Sequence, residues 1–245
     1  MHIDIITLFP DMVLSLADYG VVGRAIENKL VVIEALNPRD FSTDRHHRVD
    51  DRPYGGGPGM VMQMEPLQKA IQKATQNTSE SHVVCLSAQG KRLEHADVQR
   101  LGAYPHLVLV AGRYEGIDER LIEAEVDEEI CIGDYVVSGG ELPAMVLVDA
   151  LVRQIPGALG HEDSAAQDSF VDGLLDCPHY TRPESIEGQV VPEVLLGGDH
   201  NAIEKWRTKQ SLGRTYLRRP DLIAKMDLSE EQRTLLAEYL KEQQD

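Results

Sequence analysis

Aromatic residues make up only 5% of this 245-residue chain, with a single tryptophan and three phenylalanines. An aromatic side chain in a loop therefore stands out. Cysteine is equally scarce. Cys85, Cys131 and Cys177 are odd in number and far apart, which argues against a disulfide framework and leaves no CxxC pair for zinc. The longest apolar run, AMVLVDALV, is too short to span a bilayer and contains Asp149. The opening MHIDIITLFPDM has an early Asp and no basic stretch ahead of an apolar core, so no signal peptide is expected. These absences lead to the expectation of a reduced, cytoplasmic protein with no membrane contact. Several catalytic and phosphate-binding signatures are missing too. No GxGxxG follows a strand, and there is no GxxxxGK[ST], HExxH or GxSxG. A nicotinamide cofactor or a nucleoside triphosphate is not favoured.

What is present is an alternation of short apolar runs and amphipathic segments. MHIDIITLF, LVVIEAL, HVVCLS, HLVLVAG and VDEEICIG read as strands. Pro10 and Asp11 open an amphipathic stretch, EPLQKAIQKATQ has helical spacing, and LEHADVQRL and IDERLIEAE are helical. This βαβα order predicts an α/β domain with a mostly parallel sheet covered on both faces. The pattern stops near Gly157. A stretch rich in Gly, Ala, Ser and Asp follows, then turns and helices, the last opened by Ser229 with Gln232 as a capping box. The expected division is an α/β domain over 1–158, a linker over 159–172 and a small all-helical domain over 173–245.

Three predicted strand ends carry unusual loops: LSAQGKR, AGRYEGID and IGDYVVSGGELP. Ligands in parallel α/β folds sit at the carboxyl ends of strands. Glycines allow close backbone approach, which suits a ligand such as adenine held by main-chain groups, with Leu86, Ile132 or Val137 against its faces. The alternative is three ordinary βα turns. RVDDRPYGGGPGMVM is a further anomaly, either a mobile surface loop or a loop that lies flat on a large ligand. Charge is polarised along the chain. Net charge is −17, which taken alone argues against nucleic acid. Yet residues 201–220 hold Lys205, Arg207, Lys209, Arg214, Arg218 and Arg219 against the single acid Glu204. That segment suits an anionic partner.

The segments LSAQG, GRYEGID, IGDYVVSGGELPAM, GLLDCPHYTRP and KQSLGRT, in this order, resemble the bacterial tRNA (guanine-N1)-methyltransferase family of the SPOUT class. The resemblance covers essentially the whole chain. Ala88 departs from it, standing where proline is expected, and so does the acidic balance. The resemblance implies a C-terminal trefoil knot in the α/β domain, a homodimer with each active site built across the interface, and S-adenosyl-L-methionine as methyl donor, with Mg²⁺ dependence. It implies methylation of N1 of guanine 37, beside the tRNA anticodon, where guanine 36 precedes it.

Carried onto this chain, the cofactor contacts are Leu86, Ser87, Gly112, Tyr114, Glu115, Gly116, Ile132, Gly133, Asp134, Tyr135, Val136, Val137, Gly139, Gly140 and Pro143. Glu115 reads equally as a sulfonium or Mg²⁺ contact and as a surface carboxylate, and core packing competes for Tyr114 and Tyr135. Guanine N1 needs a base to remove its proton and a donor at O6. Asp168 is the base candidate, against the plain reading of a helix cap. Arg153 is the O6 candidate, against the plain reading of a helix C-terminal cation. Lys205, Arg207, Lys209, Arg214 and Arg218 would meet the tRNA anticodon stem-loop, as would Gly57, Gly59 and Asp50, the last at the preceding guanine. Asp176 and His179 read as structural, and Trp206 as core. A noncatalytic RNA-binding protein, a carboxylate-rich metal hydrolase and a related enzyme acting at another RNA position are the competing readings.

Overall fold

In the computed structural model, residues 1–78, 80–160, 165 and 167–243 are described. The chain divides into two units, Met1–Glu162 and Asp163–Asp245. The first contains β1 (His2–Ile6), α1 (Pro10–Leu14), α2 (Gly20–Glu27), β2 (Val32–Leu36), a short antiparallel pair β3 (Asp50–Asp51) and β4 (Val61–Met62), and α3 (Met64–Thr75). It continues with β5 (Ser81–Arg92), α4 (His95–Gly102), β6 (His106–Ala111), α5 (Glu119–Glu125), β7 (Glu128–Cys131) and α6 (Glu141–Val152). The five long strands form one sheet in the order β2-β1-β6-β5-β7, and every pairing in it is parallel.

Burial explains why the strands read as continuous apolar runs. Every residue of β6 is buried, because the sheet is covered on both faces. Leu107 and Leu109 face one core with Ile3, Ile5 and Val84, against Leu101 of α4 and Ala144, Leu147, Val148 and Leu151 of α6. Val108 and Val110 face the other with Ile6, Val83 and Cys85, against Leu67, Ala70 and Ile71 of α3 and Leu121 of α5. The period of two along β6 thus supplies both cores from one strand.

Two features depart from the reading of the sequence. β5 runs on to Arg92 and meets β7 twice, with a register shift between Leu86 and Lys91. Gly90 permits this, since a Cβ there would lie 2.5 Å from the Ile130 backbone nitrogen. The amphipathic stretch after Pro10 is not one helix. It breaks into α1, a 3-10 turn over Ser15–Asp18 and α2, with Gly20 at φ +65° at the junction.

The second unit holds α7 (His200–Arg218), α8 (Pro220–Ile223) and α9 (Glu230–Glu242). It is not all-helical: β8 (Ser185–Ile186) and β9 (Gln189–Val190) form a hairpin. Its turn is Glu187-Gly188, with φ of 52° and 81°, the left-handed pair that a two-residue hairpin requires. Asp199 caps α7 by accepting from the Asn201 and Ala202 N–H groups, and the Ser229–Gln232 capping box opens α9 as expected. α7 and α9 pack together, with Leu212, Gly213, Leu235 and Tyr239 buried and Gly213 against Tyr239. A Cβ on Gly213 would run into the Tyr239 ring. Gly213→Ala is therefore expected to destabilise this unit by about 1–3 kcal/mol through overpacking. Urea unfolding followed by circular dichroism would show a lowered midpoint; an unchanged midpoint would mean that the ring moves aside freely.

Candidate cofactor cleft and active site

The connection from β5 runs to β6, whereas that from β6 passes over β5 to β7. Parallel α/β sheets form their ligand crevices where such connections diverge, outside the strand carboxyl ends. A cleft of about 260 Å³ lies there, walled by the loops after β5, β6 and β7. Leu86, Ser87, Gly112, Tyr114, Glu115, Gly116, Ile132, Tyr135, Val136, Val137, Gly139, Gly140 and Pro143 all line it. Two expected members do not. Asp134 turns to solvent, with its side chain 87% exposed and 4.0 Å from Arg92. Gly133 packs beneath Tyr135, and its carbonyl accepts from the Cys131 thiol and the Tyr135 N–H.

The cleft is held open by a buried network that the reading of the motifs did not single out. Glu141, fully buried at the start of α6, accepts from Thr7 Oγ1 at 2.9 Å and from Arg113 Nε at 2.8 Å. Arg113 also donates to the Ser138 carbonyl at 3.1 Å and lies over the Phe9 ring. The ends of β1 and β6 and the start of α6 thus meet at one carboxylate. The available signal was a lone acid at the head of an apolar helix, directly after two glycines.

The glycines before Glu141 answer to protein, not only to a ligand. Gly140 donates its N–H to the Gly112 carbonyl at 2.8 Å. A Cβ there would sit 2.6 Å from Ala111 Cα, so any larger residue would drive α6 away from β6. Gly139 makes room for the Arg113 guanidinium.

The GGGPG loop is anchored beside the cleft. Its glycines 55, 56, 57 and 59 all have positive φ, and Gly59 packs against the Glu115 side chain. Met62 in β4 then accepts from Asp118 and donates to Gly116, while the Glu115 N–H bonds Met60. Asp50 pairs across the hairpin with Met62. Tyr114 has φ +62°, uncommon for a bulky residue. Glu119 and Glu129 join Glu115 on the lining, a negative environment suited to a cationic ligand. Burial, then the charges of Glu129 and Glu119, push the Cys85 thiol up to about 12, so it is no nucleophile.

Arg153 follows the last turn of α6, its N–H bonded to the Asp149 carbonyl. Asp168 lies in the second unit, in a turn closed by the Val171 N–H. It caps no long helix. The hydroxyl of its neighbour Ser169 accepts the Asp176 N–H at 2.9 Å. Against the pull of burial, His179 at 2.7 Å and the Cys177 N–H hold the Asp176 carboxyl below the usual range, in keeping with a structural role. On α7, Lys205, Arg207 and Arg218 are exposed and Arg214 half-buried. Lys209 is different. Its side chain is only 15% exposed and bonds both Glu242 oxygens, so it braces α7 against α9 and is poorly placed for phosphate.

The model of the tRNA (Guanine-1)-methyltransferase TrmD family matches residues 1–225. The chain belongs to this family. Proteins named tRNA (guanine-N(1)-)-methyltransferase are similar along its length. That of Serratia marcescens is 58% identical over 245 residues, covering 100% of this chain and 96% of the relative. That of Halorhodospira halophila is 61% identical over 242 residues, covering 98% and 92%. That of Pseudomonas putida strain W619 is 58% identical over 246 residues, covering 100% and 98%. The family is one of transferases, and a cleft walled by glycine backbones and carboxylates fits a bound sulfonium methyl donor. No helix among the described residues is long and apolar enough to cross a membrane.

The Glu141 network makes a direct prediction for a family member. Glu141→Ala would leave Arg113 without its buried partner, at a cost of about 3–5 kcal/mol. Thermal unfolding should show this loss, and S-adenosylmethionine titration should show weakened binding. Wild-type stability in Glu141→Ala would mean that the network contributes nothing to the cleft.

Proposed function

We propose that this chain transfers a methyl group from S-adenosyl-L-methionine to N1 of guanine 37 in tRNA, where guanine 36 precedes it. The observation that carries this reading is the cleft at the ends of β5, β6 and β7, lined by the motif residues of the family to which the chain belongs.

The donor supplies a methyl group already activated on sulfonium sulfur. The remaining tasks fall to side chains. The Asp168 carboxylate takes the N1 proton, and the lone pair freed on N1 forms the new bond to the methyl carbon. The C–S pair returns to sulfur, leaving a neutral thioether. Arg153 donates to O6, where negative charge builds as the proton leaves. The target base must leave its stack to be reached, which a loop beside the anticodon allows at a cost of a few kcal/mol.

The site is read as shared between two copies of the chain. α6 separates Arg153 from Gly140 by about 20 Å at 1.5 Å per residue, so Arg153 lies far from its own cleft along the helix. On α6, Leu142 and Val146 are 50% and 51% exposed at i, i+4 spacing, an apolar stripe suited to a second subunit. The doubled meeting of β5 with β7 and the tight start of α6 suit a trefoil knot, in which one chain segment crosses another closely. Lys205, Arg207, Arg214 and Arg218 meet tRNA phosphates from α7, and Asp50 with the GGGPG loop meets guanine 36. Glu115, on the cleft lining, is the residue that would hold Mg²⁺, an ion that one or two carboxylates with water can bind. A protein acting on tRNA in this way works in the cytoplasm.

Methyl-labelled S-adenosylmethionine, with an unmodified transcript carrying guanines at 36 and 37 and a matched transcript with adenine at 37, tests the reading. Label should enter the first only and map to N1; label in both would discard the target position. Asp168→Ala should lower transfer by about 10²–10⁴-fold with cofactor binding intact. Arg153→Ala should cost roughly a hundredfold or more. Near-full activity in either variant would remove that residue from the mechanism.

The contribution of α7 has its own signature. Glu at both Arg214 and Arg218 should weaken tRNA binding and flatten its salt dependence, because fewer counterions are released. An unaltered salt slope would move the RNA face elsewhere.

A further inference from the structure

The N-terminal ends of the strands, opposite the cleft, carry a polar cluster that the methyl transfer does not use. β1, β2 and β6 are adjacent and parallel, with His2 level with His106 and Asp4 level with Glu34. Alternation along each strand puts these four side chains on one sheet face. Asp4 and His106 are 96% buried, while His2 and Glu34 lie toward solvent, with side chains 40% and 64% exposed. His106 Nε2 is 2.9 Å from Asp4 Oδ2, His2 Nε2 is 3.6 Å from Asp4 Oδ1 and 3.2 Å from Glu34 Oε2. The two imidazole rings stack, with centroids 4.8 Å apart and planes 27° from parallel.

We propose that His2, Asp4, His106 and Glu34 form a binding site for a divalent transition metal, with Zn²⁺ the best match. Two imidazoles and two carboxylates are a borderline donor set that Zn²⁺ accepts in tetrahedral geometry. Bonds of about 2.1 Å in a tetrahedron set donor atoms about 3.4 Å apart. The three distances above straddle that spacing, and one donor atom from each of His2, Asp4 and His106 lies within 4.8 Å of the others. The next layer is also in place. His106 Nδ1 is 2.8 Å from Ser81 Oγ. A hydroxyl there can accept from Nδ1–H, the tautomer that leaves the Nε2 lone pair to an ion. The exposed His2 and Glu34 give the ion a path in from solvent. On β6, His106 is five residues of strand, about 17 Å at 3.3 Å each, from the strand end at Ala111 where the cleft loop begins, so the ion ties β1, β2 and β6 together and plays no part in the chemistry.

The test uses the full chain without any affinity tag, stripped by chelator and titrated with Zn²⁺ by calorimetry and with Co²⁺ by visible absorption. One ion per chain is expected, with tetrahedral Co²⁺ bands and a thermal midpoint that rises with Zn²⁺. His2→Ala, at a half-exposed position where folding should survive, should weaken binding by about a hundredfold or more. Ser81→Ala should weaken it by roughly 10–100-fold through the lost support of His106. Cys177→Ser should leave it unchanged, since Asp176, Cys177 and His179 form the other group with ligand spacing among the described residues. The proposal is overturned by three results: no stoichiometric binding by folded wild type, binding unchanged in both His2→Ala and Glu34→Gln, or binding lost in Cys177→Ser.

Discussion

One buried carboxylate organises the functional end of the first unit. Glu141 has no access to water, and an unpaired charge in such a place would cost several kcal/mol. It is tolerated because Thr7 and Arg113 reach it from the ends of β1 and β6. Each of those partners then fixes something else. Thr7 accepts the Phe9 N–H, and Phe9 lies under the guanidinium, whose other arm holds the Ser138 carbonyl. The loop before α6 therefore has little freedom, and neither has the wall of the cleft that it forms. A purely apolar contact at this junction would be as stable without fixing direction. The ion pair and its hydrogen bonds are directional, so the network aligns the three elements.

The same junction explains the glycines. A ligand-binding loop is commonly thought to carry glycine for the ligand's sake, yet the space beside Gly140 is taken by the backbone of β6, and that beside Gly139 by Arg113. Close backbone crossing comes first, and a cleft rimmed by main-chain groups is its consequence. Gly90 repeats the pattern where β5 meets β7 a second time. Main-chain donors and acceptors become available to a ligand because side chains have been cleared for packing reasons.

Such crossings also mark where the sequence was legible. The strands could be read because burial on both faces demands uninterrupted β-branched and aliphatic runs, and α3, α4 and α5 because one apolar face recurs at helical spacing. The three loops could be read because glycine and aromatic residues gather at strand ends. Glu141 and Arg113 were visible as letters, but their pairing joins residues 28 apart through the sheet, and nothing local announces it. Lys209 read as one more cation on a basic helix. Only the packing of α9 brings Glu242, 33 residues on, to its ammonium group. The cluster of His2, Asp4, Glu34 and His106 is hidden more deeply still, since it exists only through the register of three strands that are far apart in the chain.

Register also bears on how the charge of this chain should be read. A total of −17 suggests repulsion from any nucleic acid, but totals act only at low ionic strength. At physiological salt, charges separated by more than about 8 Å are largely screened. What a partner meets is the local arrangement. The cleft presents Glu115, Glu119 and Glu129, which favour a cation, whereas α7 presents Lys205, Arg207, Arg214 and Arg218 with only Glu204 among them. Within α7 the packing refines this further. Lys209 is neutralised by Glu242, so the cationic face is narrower than the count of basic residues implies. The acidic balance is a property of the whole surface, and it leaves each of these two small regions free to attract a ligand of opposite sign.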